Sequence, residues 1–129
     1  MREILMIMEP RMEMPGTTII NEMDEFLEVT FFIHGSYKIG YSLNNKRIYV
    51  LPFSCVRKGN AIGAYGCTFN KRAVIIYTCV KQCRGHFIRK SAWHGLLNKL
   101  DPALNKSIRK ALSDDYLTNT KSKIVAHKA

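Results

Sequence analysis

The sequence predicts an α+β domain, with an antiparallel sheet of four or five strands, an acidic helix ahead of it and a helix pair behind it. Apolar residues recur at helical spacing over residues 18–28, at two-residue spacing through 29–80, and at helical spacing again after Ser91. With 129 residues, 47% of them hydrophobic, the chain is long enough for one sizeable core and too short for two. The same composition argues against intrinsic disorder.

The elements follow in order. Glu3–Met8 reads as a short strand, closed off by Pro10 and then by Pro15-Gly16. From Thr18, Ile19, Ile20, Met23, Phe26 and Leu27 share one helical face, while Glu22, Asp24, Glu25 and Glu28 take the other. Val29–His34 is β-branched and aromatic, and Tyr37, Ile39, Tyr41 and Leu43 alternate with Lys38, Gly40 and Ser42, as in a half-buried strand. Asn44-Asn45 offers a hairpin turn, because Asn tolerates positive φ, and 47–51 is the returning strand. Gly59-Asn60 and Asn70-Lys71 flank a Gly-broken strand over 61–69, and 73–80 is strongly apolar. Ser91 can cap a helix carrying Trp93, Leu96, Leu97 and Leu100 on one face. Asp101-Pro102 restarts a second with Leu104, Ile108, Ala111 and Leu112.

The whole is expected to be a single domain over 1–129. It comprises an acidic strand-loop-helix arm at 1–28, a basic β region at 29–90, two helices at 91–117 and a flexible tail at 118–129.

Charge is distributed unevenly along this plan. Residues 1–28 hold seven acids and two bases, residues 29–100 hold twelve bases and no acid, and residues 101–129 hold six bases and three acids. Ordinary soluble surfaces mix both signs, so an acid-free stretch of this length points to a polyanionic partner, DNA or RNA first. The residues expected to meet phosphates lie at turns and strand ends: Lys46, Arg47, Arg57, Lys58, Lys71, Arg72, Lys81, Arg84, Arg89 and Lys90. To these the second helix adds Lys106, Arg109 and Lys110. Interleaved aromatics (Tyr37, Tyr41, Tyr49, Tyr65, Phe69 and Phe87) are the side chains that stack on unpaired bases. The helix pair also invites a helix-turn-helix reading, although only Asn105, Ser107 and Arg109 are available to read base edges.

The function expected from these features is a small non-enzymatic nucleic-acid-binding regulator. A metal-free ribonuclease using His86 and His94 is one alternative, because carboxylate-held metals have no ligands in the acid-free block. A module docking on an acidic protein is the other. Cys67, Cys79, Cys83 and His86 are the zinc ligands to consider, although their spacing lacks the paired knuckles of zinc modules and no cofactor is expected. The acidic helix is placed either over the basic face or in a homodimer seam through Ile19, Met23 and Phe26. The N-terminal apolar run is too short for an export signal and no run approaches the roughly 18 residues of a membrane span, so the expected setting is cytoplasmic.

Overall fold

In a computed structural model of the chain, residues 7–50, 53–54 and 61–128 are described, the pair 53–54 by backbone alone. Two long strands organise it. β3 (Glu28–Leu43) and β7 (Ile76–Arg89) pair antiparallel, Glu28 opposite Arg89 at one end and Gly40 opposite Ile76 at the other. β1 (Glu9–Glu13) and β2 (Thr18–Ile20) add to β7, while β4 (Lys46–Tyr49), β5 (Phe53–Ser54) and β6 (Ala61–Ile62) add to β3. Among the described residues the result is a seven-stranded antiparallel sheet, and this replaces the expected α+β sheet of four or five strands. Phe26, Val29, Phe32, Tyr37, Ile39, Tyr41, Tyr77 and Cys79 fill its interior, so both spine strands contribute to one core.

The acidic N-terminal helix is not formed. Thr18 and Ile20 pair with Thr78 and Tyr77, where their β-branched side chains suit a pleated strand. Asn21 then begins a turn: its amide donates to Asp24 Oδ2 at 2.8 Å, and its own Oδ1 accepts from the Glu22 amide at 2.9 Å. Met23, at φ 69°, has a left-handed backbone that no helix interior accepts. The homodimer seam expected on that helix loses its scaffold.

Other boundaries shift for local reasons. Glu9–Glu13, read as loop because of Pro10, is an edge strand, where a missing amide is tolerated. Glu3–Met8 lies mostly outside the described residues. The hairpin at Asn44-Asn45 forms as expected, with φ of 52° and 64°. The Gly-broken strand does not run to Phe69: Gly63, at φ 91°, ends β6 and opens α1 (Ala64–Phe69). β7 continues through Arg89, which puts Lys81 and Arg84 within a strand and not at a turn.

The helix pair is present as α2 (Lys90–Asn98) and α3 (Pro102–Asp115), the latter capped by Asp101, whose carboxylate accepts from the Leu104 amide at 3.0 Å. The segment expected to be a flexible tail continues as a π-helical turn (Tyr116–Lys121) and α4 (Ser122–Lys128), with Ile124 buried in the core. Among the described residues no helix is long and apolar enough to cross a membrane.

Candidate functional site

α1 is six residues long, yet three C-terminal elements converge on it. Its Thr68 Oγ1 accepts from the indole Nε1 of Trp93 in α2 at 2.8 Å. Its Thr68 carbonyl accepts from the Arg109 guanidinium of α3 at 3.4 Å, and Arg109 also lies 6.0 Å from the Phe69 ring centre. Its Tyr65 stacks on Tyr116 of the π turn, ring centres 4.2 Å apart and planes within 3°. Tyr65 and Phe69 sit one turn apart on the helix, which brings their rings within 5.0 Å and makes one aromatic face. Beyond that face lies the core: burial pushes the Tyr77 hydroxyl well above its ordinary range, with the Tyr116 and Tyr37 hydroxyls adding to the effect. α4 closes the arrangement, since Ile124 is buried and His127 Nδ1 is hydrogen-bonded to the Tyr41 hydroxyl at 2.9 Å. α1 is therefore in direct contact with α2, α3 and the π turn.

Two surface clefts lie elsewhere. One, of about 450 Å³, opens where β1, β7 and β3 meet and includes His34, Arg84 and His86. The other, of about 620 Å³, lies between Leu27, Asn70, Arg89 and His94. His86 and His94 thus line different clefts, and the expected His86–His94 pair is not assembled.

The expected phosphate-binding residues are dispersed. Arg47 donates to Thr18 Oγ1, Arg72 to the Met23 carbonyl, and Lys46 stands at the exposed hairpin end. Arg89 pairs with Glu9 at 2.8 Å and holds that carboxyl below its ordinary value chiefly through this hydrogen bond, while Lys90 lies 3.9 Å from Glu25. Lys106 and Lys110 are exposed on α3, and Arg109 is occupied at α1. Lys71, Lys81 and Arg84 are exposed; Arg57 and Lys58 lie outside the described residues. Of the aromatics expected to stack on bases, Tyr37 and Tyr41 are buried, and Tyr49, half-buried, bonds Thr78 and lies beneath Lys38 Nζ.

Cys67, Cys79 and Cys83 are buried, each donating to a backbone carbonyl, those of Phe26, Glu13 and Ser36 among them. Among the described residues no three metal-ligating side chains come together, so the expected zinc set is not assembled. Burial pushes the Cys67 thiol up to about 11; Lys90 opposes this weakly and Glu28 adds to it. Because the thiolate is the reacting form, Cys67 is expected to resist iodoacetamide at pH 8 in the folded protein and to react fully in urea, as peptide mass mapping will show.

Sequence reasoning missed the contacts around α1. The available signals were the single Trp and the Tyr65-Phe69 spacing, both hidden by reading 61–69 as a strand.

No family model matches the sequence, and no curated protein matches it. Solved structures match in fold. The cAMP-bound form of the EAL enzyme Bd1971 superposes with TM-score 0.68 at 14% identity, over 88% of this chain and 30% of that one. The regulatory domain of Toxoplasma gondii PKA, crystallised with cAMP, matches with TM-score 0.66 at 11% identity, over 87% of this chain and 41% of that one. The sensor domain of the transcriptional regulator DNR from Pseudomonas aeruginosa matches with TM-score 0.68 at 13% identity, over 90% and 77%. This chain spans less than half the length of the first two. At these identities the likeness is one of fold, and the fold is the β-roll of cyclic-nucleotide-binding and sensor domains; it overturns the expected nucleic-acid binder and ribonuclease.

Proposed function

We propose that this chain is a ligand-sensing regulatory module that takes a cyclic nucleotide beside α1 and transmits its occupancy to the C-terminal helices. The observation that carries this is the convergence of α2, α3 and the π turn on Tyr65, Thr68 and Phe69 of α1. The cAMP complexes among the structural neighbours supply the ligand class.

The energies suit the task. A hydrogen bond such as Trp93 to Thr68 contributes about 1 kcal/mol, and an aromatic stack about as much. A ligand that shifts α1 therefore has to outweigh only a few kcal/mol, the usual size of coupling between two sites. Of the basic residues expected to meet phosphate, this reading keeps Lys71, exposed and next to the Asn70 cap of α1, as the partner of the ligand's phosphate. A cytoplasmic setting belongs to the same proposal, supported by the buried thiols of Cys67 and Cys79.

Trp93 is the sole Trp and touches α1, so the chain contains its own reporter. Titration with cAMP or cGMP is expected to shift Trp93 emission saturably and to raise Tm. Lys71→Gln should weaken the binding by about tenfold. Absence of both responses at millimolar nucleotide overturns the reading.

A further inference from the structure

We propose that the cleft where β1, β7 and β3 meet is a second binding site, one that takes a phosphate monoester carrying a compact apolar group. The register builds it. Met12 lies opposite Arg84 and Pro10 opposite His86 on one side of β7, while His34 lies opposite Arg84 on the other. Arg84 and His86 are two residues apart in a strand and so share a face, the solvent face, where both are exposed. His34 reaches the same cleft because β3 is bulged there: the pairing slips between Phe32 and His34 and again between His34 and Ser36. The extra residue breaks the alternation, so that Ile33 and His34 are both exposed, Ile33 by 57%.

Three nitrogen-bearing side chains from two strands thus converge beside an apolar border of Pro10, Met12 and Ile33. No hydrogen bond or ion pair engages the side chains of Arg84, His34 or His86 among the described residues. Arg11, the cleft's other cation, is already committed to Glu13 and Glu28, and among the described residues no carboxylate lines the cleft. A guanidinium fork and two imidazoles offer more donors than the two oxygens of a carboxylate take up, and they match the three free oxygens of a phosphate monoester. The volume of about 450 Å³ falls within the range of small-ligand sites, and the exposed Met12 and Ile33 supply the surface for an apolar substituent. The site is separate from α1, none of whose residues line it.

Phenyl phosphate is the probe. Titrated calorimetrically into the full chain, it is expected to bind one to one, roughly tenfold or more tighter than inorganic phosphate or benzoate. Arg84→Gln and the double variant His34→Gln/His86→Gln should each weaken it by about tenfold or more without lowering Tm, since these side chains hold nothing else. Ile33→Ser should erase the preference for phenyl phosphate over inorganic phosphate. Binding must persist at saturating cAMP, and the variants must keep the wild-type response to cAMP, so this site and the α1 reading stand or fall separately. Failure of wild type to bind phenyl phosphate, unchanged binding in both variants, or displacement by cAMP overturns the proposal.

Discussion

Gly85→Ala is expected to destabilise the protein by about 3 kcal/mol, lowering Tm by roughly 10 °C. A Cβ at this position would stand 1.9 Å from the Phe31 carbonyl oxygen and 2.8 Å from the Phe32 Cα. Both are backbone atoms of the adjoining spine strand, so no side chain can rotate away to make room. Relief requires β3 and β7 to separate where Phe31 faces His86 and Phe32 faces Gly85, in the middle of the sheet. The companion substitution Gly95→Ala meets nothing within 4 Å and lies inside α2, so it should stabilise by about 1 kcal/mol through helix propensity. Urea unfolding followed by circular dichroism measures both. Equal stabilities for the two variants would show that the spine strands are not in close contact at Gly85.

Ile124→Asp is expected to release the C-terminal helix while leaving the sheet folded. Ile124 is 4% exposed and is the sole buried residue of α4. A carboxylate there would stand in the hydrophobic core, and lifting the helix into water costs less than keeping the charge buried. The lost burial amounts to about 3 kcal/mol, and the polar contact of His127 with Tyr41 is too weak to hold the helix alone. Amide hydrogen exchange over residues 116–128 should accelerate by roughly a hundredfold or more, with the amides of β3 and β7 protected as before. Unaltered exchange in that segment would remove Ile124 as the anchor. In the sensing model the same variant should retain nucleotide binding.

The parts of the fold legible in the sequence were those fixed by local chemistry. Asn44-Asn45 specifies a turn because both residues accept positive φ, and Asp101-Pro102 specifies a helix start because the carboxylate caps while proline pre-sets φ. What stayed hidden depends on distant partners. Residues 18–28 have a helical face, but Thr18 and Ile20 gain strand partners in β7 and Glu22 accepts from the Ser42 amide. The helicity of 116–128 depends likewise on the burial of Ile124, which composition does not reveal.

The candidate site was less legible than the fold. Counting charge by segment suggested an uncompensated cationic block, yet Glu9 and Glu25 of the acidic arm lie against Arg89 and Lys90 of that block. The arm is in part the counter-ion. Thr68, Trp93 and Tyr116 carry no charge and no motif, so their convergence becomes visible only when α1 is recognised as a helix. His34 was overlooked for a related reason: a bulge that turns two consecutive residues outward leaves no two-residue rhythm to read.

The union of β3 with β7 also governs how fast the chain can fold. Glu28 cannot meet Arg89 until nearly half the sequence, with every element between them, has been drawn into a closed loop. The Asn44-Asn45 hairpin closes locally on a microsecond scale, but it cannot bury the core alone. Folding in roughly milliseconds to seconds follows from such non-local pairing. During synthesis the N-terminal strands must wait for residues 76–89 to emerge. Until then Phe32 and Ile39 of β3 lack the strand that will cover them, which makes that interval the period of greatest exposure to aggregation.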